Sequence, residues 1–304
     1  MTVLNGLYPT LDIGLVEMPT VEVDGATLFY EEKGAGEPIL FCHGIPTDHR
    51  AWLSQIEVFS NRYRAISYSR RYAAPNKRDG DLTDSTVGNN ADDLKGLIEK
   101  LGVSPVHLVG HSYGGFIAAF LAADHPDLVR SLVLVEPAVS TLLVENANSK
   151  AQMLSLLLRS PSVARSARRF VNGSLNPSFT ALEKGDDRRA VELNVDGVQD
   201  KHGAFASMPD DVKKMMIENA RTILELKTKF PSFKEHVKKI QCHTLVINGE
   251  DGALWLRRIG ELCAALVPHG EMIKVSHAKH FPHLENASEF NEKVLGFLSR
   301  NRKA

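Results

Sequence analysis

The segment Val106-His-Leu-Val-Gly-His-Ser-Tyr-Gly-Gly115 places Ser112 between Gly110 and Gly114. A serine hydroxyl is a weak nucleophile at neutral pH. It becomes effective when a base takes its proton, an acid orients that base, and amide donors bind the oxyanion that forms. The surroundings of Ser112 suit that role. An apolar run ends at Gly110, and Gly115-Phe-Ile-Ala-Ala-Phe-Leu-Ala-Ala123 reads as a buried helix. A nucleophile elbow needs this strand–turn–helix setting, with the serine on a tight, strained turn. Side chains two residues before or after it would collide, hence the glycines. The helix that follows aims its N-terminal amides and positive dipole end at developing negative charge.

Candidates for the other roles lie elsewhere in the chain. His43-Gly44-Ile45-Pro46 closes the apolar run that starts at Pro38. A turn of this kind beside the elbow strand presents the N–H of its third residue. The expected oxyanion donors are therefore the backbone amides of Ile45 and Tyr113. Losing one such donor typically costs about 3–4 kcal/mol of transition-state stabilisation. His43 itself is expected to hold the loop from beneath. Twelve histidines compete for the base. In doubly wound sheets the reactive groups sit on loops at the carboxyl ends of strands. That points to Ser276-His-Ala-Lys-His-Phe-Pro-His-Leu-Glu285, which offers His277, His280 and His283. For the acid, Glu136 and Asp251 both end apolar runs and both keep the chain order serine, acid, histidine. Aspartate before glycine is a common turn residue. A glutamate closing an apolar central strand would be partly buried and would need a partner. This favours Glu136 and keeps Asp251 as the alternative.

The elements that must position these groups follow from periodicity. Alternating residues flank Asp24-Gly25, a two-residue hairpin turn. Short apolar runs suited to strands buried on both faces start near Pro38, Tyr63, Val106, Ser131, His243 and Glu271. Helical spacing appears at Leu94, Leu97, Ile98, Leu101, at Ile259, Leu262, Cys263, Leu266, and at Phe290, Val294, Phe297, Leu298. Strands alternating with helices imply an α/β fold with a mostly parallel, doubly wound sheet. The alternation stops between about Ala138 and Ile240. That stretch has helical patterns at Met153–Leu158 and Met215–Leu224, and loop-like pieces at Asn172–Pro177 and Gly185-Asp-Asp. The expected division is a core of residues 1–137 and 241–304 with a helical cap of residues 138–240.

Composition bounds the function. The formal charge is 36 − 37 = −1, which leaves no broad basic face for nucleic acid. Hydrophobic residues at 43% and charged residues at 24% fit a globular chain. No run of about 18 apolar residues would span a membrane. Met1–Pro19 has no basic residue before an apolar core, so no secretory leader is expected. Cys42, Cys242 and Cys263 are too scattered for a disulfide framework or a zinc site, and they read as reduced thiols of a cytoplasmic protein.

With these residues in place, the chain resembles the α/β-hydrolase superfamily from Val21 to Leu298. The resemblance rests on His43-Gly-Ile-Pro46, Gly110-His-Ser-Tyr-Gly-Gly115 and His280-Phe-Pro-His-Leu-Glu285, in the expected order. It implies Ser112 as nucleophile, His280 as base, and a cap between the sixth and seventh strands. Members with the acid after the seventh strand usually carry it three residues past the glycine. Here that place is Gly252, one residue beyond Asp251. Other branches place the acid after the sixth strand, where Glu136 stands. Ser69-Arg70-Arg71 departs from the Asp-x-Arg-Gly of many relatives. The expectation is a serine carboxylesterase of small to medium neutral esters, needing no cofactor and no metal. Lactone hydrolysis, C–C bond hydrolysis and perhydrolysis on the same triad are alternatives. So is a hydrolase-like receptor with little turnover.

Overall fold

The computed structural model describes residues 19–76, 82–146 and 149–301. The stretch read for a secretory leader lies, apart from Pro19, outside the described residues. In chain order the elements are β1 (Thr20–Val23), β2 (Ala26–Lys33), β3 (Pro38–Cys42), α1 (Leu53–Phe59), β4 (Arg64–Tyr68), α2 (Val87–Lys100), β5 (Val106–His111), α3 (Tyr113–Asp124) and β6 (Val129–Val135). Then come α4 (Lys150–Arg159), α5 (Pro161–Phe170), α6 (Asn176–Glu183), α7 (Asp187–Val198) and α8 (Asp210–Glu218). The chain closes with β7 (His243–Gly249), α9 (Leu254–Leu266), β8 (Gly270–Val275), α10 (Pro282–Glu285) and α11 (Ala287–Arg300).

The strands form one sheet in the order β1-β2-β4-β3-β5-β6-β7-β8. β1, β2 and β4 pair antiparallel, and every other neighbour pair is parallel. The reason lies in period two. Ile39 and Phe41 of β3 pack on one face with Trp52, Ile56, Phe290 and Val294 from the α1 and α11 side. Leu40 and Cys42 point the other way, toward Leu94, Leu97, Phe116 and Ile259 of α2, α3 and α9. A strand covered on both faces is mostly apolar, and β5 and β6 are buried at every position except the half-buried Arg130. This is the expected α/β-hydrolase fold, with a helical insertion between β6 and β7.

The insertion differs from expectation at one place. Asn172–Pro177 is not a loop. The backbone stays helical from α5 into α6 through a wide turn, Val171–Leu175, and Asn176 N–H donates to the Val171 carbonyl. In a regular helix the Pro177 ring would strike the carbonyl of Gly173, and its missing N–H would break the ladder. One extra residue in the turn relieves both, so proline and glycine here mark a π-turn. Met215, Met216, Ala220 and Ile223 are buried with the core cluster. No described helix is long and apolar enough to cross a membrane.

Candidate active site

Ser112 joins β5 to α3 with φ 52, in the left-handed region that is costly for a serine. The surroundings hold it there. Ser112 N–H donates to Val135 O at 2.9 Å, and Ala138 N–H donates to Ser112 O at 3.0 Å. The flanking glycines are required by contact. A Cβ on Gly110 would lie 2.5 Å from Gly114 O, and one on Gly114 would lie 2.4 Å from His43 O. The strain expected from the sequence is thus present, at the expected residue.

Of the three histidines in the last loop, His280 meets the serine. Its Nε2 is 3.0 Å from Ser112 Oγ. Its Nδ1 faces Glu136 Oε2 at 3.4 Å. Glu136 ends β6 with φ 47, and its Oε1 accepts from Gly249 N–H at 2.7 Å. Asp251 is exposed in the turn after β7, with its backbone N–H on Ala278 O. His277 is also exposed, two residues past β8. His283 is buried in α10 and stacks on Trp52 at 4.3 Å. His43 holds the loop as expected. Its Nε2 accepts from Arg70 N–H at 2.9 Å, so the ring proton sits on Nδ1, which donates to Gly44 O. Ile45 and Tyr113 line the same cavity as Ser112 and His280. Tyr113 opens α3, where the first amides have no partner inside the helix.

Burial sets the electrostatics. It pushes the His280 imidazolium down to about 4 and the Glu136 carboxyl up to about 8. Glu285 raises His280 again, while the Gly249 N–H and the Arg257 guanidinium draw Glu136 down. His280 Nδ1 and Glu136 Oε2 face each other at 3.4 Å. With one proton between them, on Nδ1, the imidazole presents a bare Nε2 to the serine hydroxyl. A hydroxyl, imidazole and carboxylate in this line can pass a proton from Oγ to Nε2 as a bond forms at Oγ.

The sequence profile described as alpha/beta hydrolase fold matches residues 37–287. The chain belongs to this family. It is 26% identical over 284 residues to a putative carbamate hydrolase of Azorhizobium caulinodans, spanning 92% of this chain and 98% of that one. It is 24% identical over 281 residues to a 2-hydroxy-6-oxononadienedioate/2-hydroxy-6-oxononatrienedioate hydrolase of Paraburkholderia phymatum, spanning 89% and 90%. A thermophilic esterase from Thermogutta terrifontis shares the fold, with TM-score 0.69, 21% identity, and coverage of 94% of this chain and 100% of that one.

In this α/β-hydrolase several contacts around the site carried no role in the sequence reading. Gln199, at the end of α7, accepts from His280 N–H at 3.0 Å through Oε1. Its Nε2 donates to Glu285, whose other oxygen accepts from Lys279 and Phe281 N–H. His111 Nε2 donates to His280 O at 2.7 Å. The histidine backbone is thus held by the insertion, by α10 and by the elbow. The two arginines of Ser69-Arg70-Arg71 also gain an account. Arg70 is fully buried, pairs with Glu225 at 2.6 Å, and lies over the Tyr113 ring. It joins the segment after α8 to both expected oxyanion positions, through His43 on one side and Tyr113 on the other. Asn219 adds a bond from Nδ2 to Asp48 at 2.7 Å. Arg71 grips Asp93 with Nε and Nη2.

Above Ser112 lies a cavity of about 500 Å³. Its walls are mainly apolar, with Leu143, Met153, Leu156, Phe170, Phe230 and Trp255 among them. Of the apolar stretches singled out in the sequence, Met153–Leu158 reaches the cavity through Met153 and Leu156. Met215, Met216 and Ile223 pack into the core instead.

Proposed function

We propose that the protein is a serine hydrolase that cleaves small to medium carboxylic esters through an acyl-enzyme. Ser112 attacks the carbonyl and His280 takes its proton. Glu136 holds the imidazole and stabilises its charge. The amides of Ile45 and Tyr113 bind the oxyanion. The protonated imidazole then gives its proton to the leaving alkoxide, and the neutral base activates water to release the acid. Residues 138–240 act as a cap over a core made of 1–137 and 241–304. The small-molecule ester enters an apolar pocket, in a protein we place in the cytoplasm.

One observation carries this reading. The Ser112–His280–Glu136 line opens on the floor of a cavity whose walls are mainly apolar. Such walls suit acyl or alcohol groups and offer little to a polar substrate. A serine at the elbow supports an ester intermediate at Oγ. The relatives' names include a carbamate hydrolase and an esterase, and both fit attack on an acyl carbon.

Labelling with a fluorophosphonate, followed by mass spectrometry, tests the nucleophile. The adduct should fall on the peptide carrying Ser112. The variant Ser112→Ala should fold, resist the label and lose turnover of chromogenic acetate and butyrate esters. A label on another residue, or retained turnover, would overturn the assignment. Product analysis across esters, lactones and C–C substrates then fixes the bond cleaved.

A further inference from the structure

The insertion carries an exposed apolar face that its own packing does not explain. None of the ten residues of α4 is buried. Met153, Leu154, Leu157 and Leu158 are 41%, 55%, 47% and 75% exposed. Positions i, i+1, i+4 and i+5 lie on one side of a helix, so these four side chains form one patch. A contiguous patch of this kind on a soluble protein marks a contact surface.

Charge identifies the partner. Between residues 146 and 182 the sequence has Lys150, Arg159, Arg165, Arg168 and Arg169 and no aspartate or glutamate. The rest of the chain therefore carries −1 − 5 = −6. The near-neutral total conceals a basic segment, on α4 and α5, that includes the residues of the apolar patch. Among the described residues, only Arg169 of these five has an ion-pair partner, Asp200 at 3.2 Å. The patch also adjoins the catalytic cavity, since Met153, Leu156, Arg168 and Val171 line it.

We propose that α4 and α5 form a docking surface for an anionic phospholipid bilayer. Leu154, Leu157 and Leu158 enter the acyl boundary, and the arginines pair with lipid phosphates. An apolar helix face with basic neighbours and no acidic residue is the pattern that lies in such an interface. The contact is peripheral. The cavity mouth then faces the bilayer, from which an apolar ester reaches Ser112 without crossing water. Only this last step rests on the ester reading, and the docking stands apart from it.

Vesicle flotation of the full chain tests the proposal. The protein should float with phosphatidylglycerol vesicles, stay down with phosphatidylcholine vesicles, and be released by salt. The Arg159→Gln/Arg165→Gln variant should bind less by about fivefold per charge removed. The Leu154→Ser/Leu158→Ser variant should bind at least about tenfold less. Both should keep their thermal midpoint and their turnover of a soluble short ester. Failure of the protein to float overturns the proposal, as does undiminished flotation of the variants. A concentration-dependent dimer abolished by the leucine variant, without vesicle binding, assigns the face to a second copy and overturns it too. Ser112→Ala should float like the unaltered chain, so loss of the ester reading leaves this result standing.

Discussion

Exchange of Glu136 for glutamine should weaken the enzyme and strengthen the fold. Glu136 is fully buried, and burial raises its carboxyl from 4.5 to about 8. The folded chain therefore holds this proton more tightly than the unfolded chain. The stability gained from it is fully present below pH 4.5 and is lost as pH rises toward 8. At about 1.4 kcal/mol per pH unit, the loss reaches roughly 3 kcal/mol at pH 7 and levels off near 5 kcal/mol above pH 8. Glutamine can still accept from Gly249 N–H and carries no charge, so this pH dependence should vanish in Glu136→Gln. Its amide would meanwhile donate to His280 Nδ1 and move the ring proton to Nε2, where it blocks proton transfer from Ser112. A change of this type costs about 10⁴ in kcat. Urea titrations of both proteins at pH 5, 7 and 9 provide the assay. The midpoints should nearly coincide at pH 5 and diverge at pH 9, with the variant more stable. Parallel pH dependence of the two proteins would refute the raised carboxyl. Near-normal kcat in the variant would refute Glu136 as the acid.

The same carboxyl predicts the rate profile. The active pair is carboxylate plus neutral imidazole, so kcat/KM should rise with pH through about 8, well above the 6 to 7 of an ordinary histidine. A plateau already reached at pH 6 would contradict this. Asp251→Asn should leave kcat within about twofold, as expected of an exposed turn residue; a thousandfold loss would return the acid to Asp251. In Gly249→Ala the new Cβ would lie 2.0 Å from Lys279 O, pushing the His280 loop away. A displacement near 1 Å costs on the order of 10²-fold in kcat, so unaltered kcat would show that the loop is not held there. Arg70→Met leaves Glu225 buried without its cation and should cost about 3–5 kcal/mol, read from the urea midpoint, with most of it regained in Arg70→Met/Glu225→Leu.

The sequence alone went furthest where chemistry and backbone geometry constrain the same residue. Gly110-x-Ser112-x-Gly114 is legible because the turn tolerates no Cβ at either glycine. The parallel strands are legible because burial on both faces favours short, mostly apolar runs. Glu136 could be preferred to Asp251 because a glutamate ending such a run needs a partner, because aspartate before glycine suits a turn, and because some branches of the family place the acid there. The parts that stayed dark depend on contacts between distant segments of polar residues whose types are unremarkable. Gln199 meets the His280 loop across 81 positions, and Arg70 meets Glu225 across 155. No periodicity links such pairs. Ser69 was visible as a departure from the family's Asp-x-Arg-Gly, but Arg70 stands at its unspecified position, and only the fold gives the reason for it. A guanidinium shut away from water needs a buried carboxylate, and Glu225 in the insertion supplies one. The insertion is thereby tied to both loops expected to bind the oxyanion. Movement of that segment would disturb Tyr113 and the His43 loop together, whereas α4, which lines the cavity through Met153 and Leu156, has no buried residue.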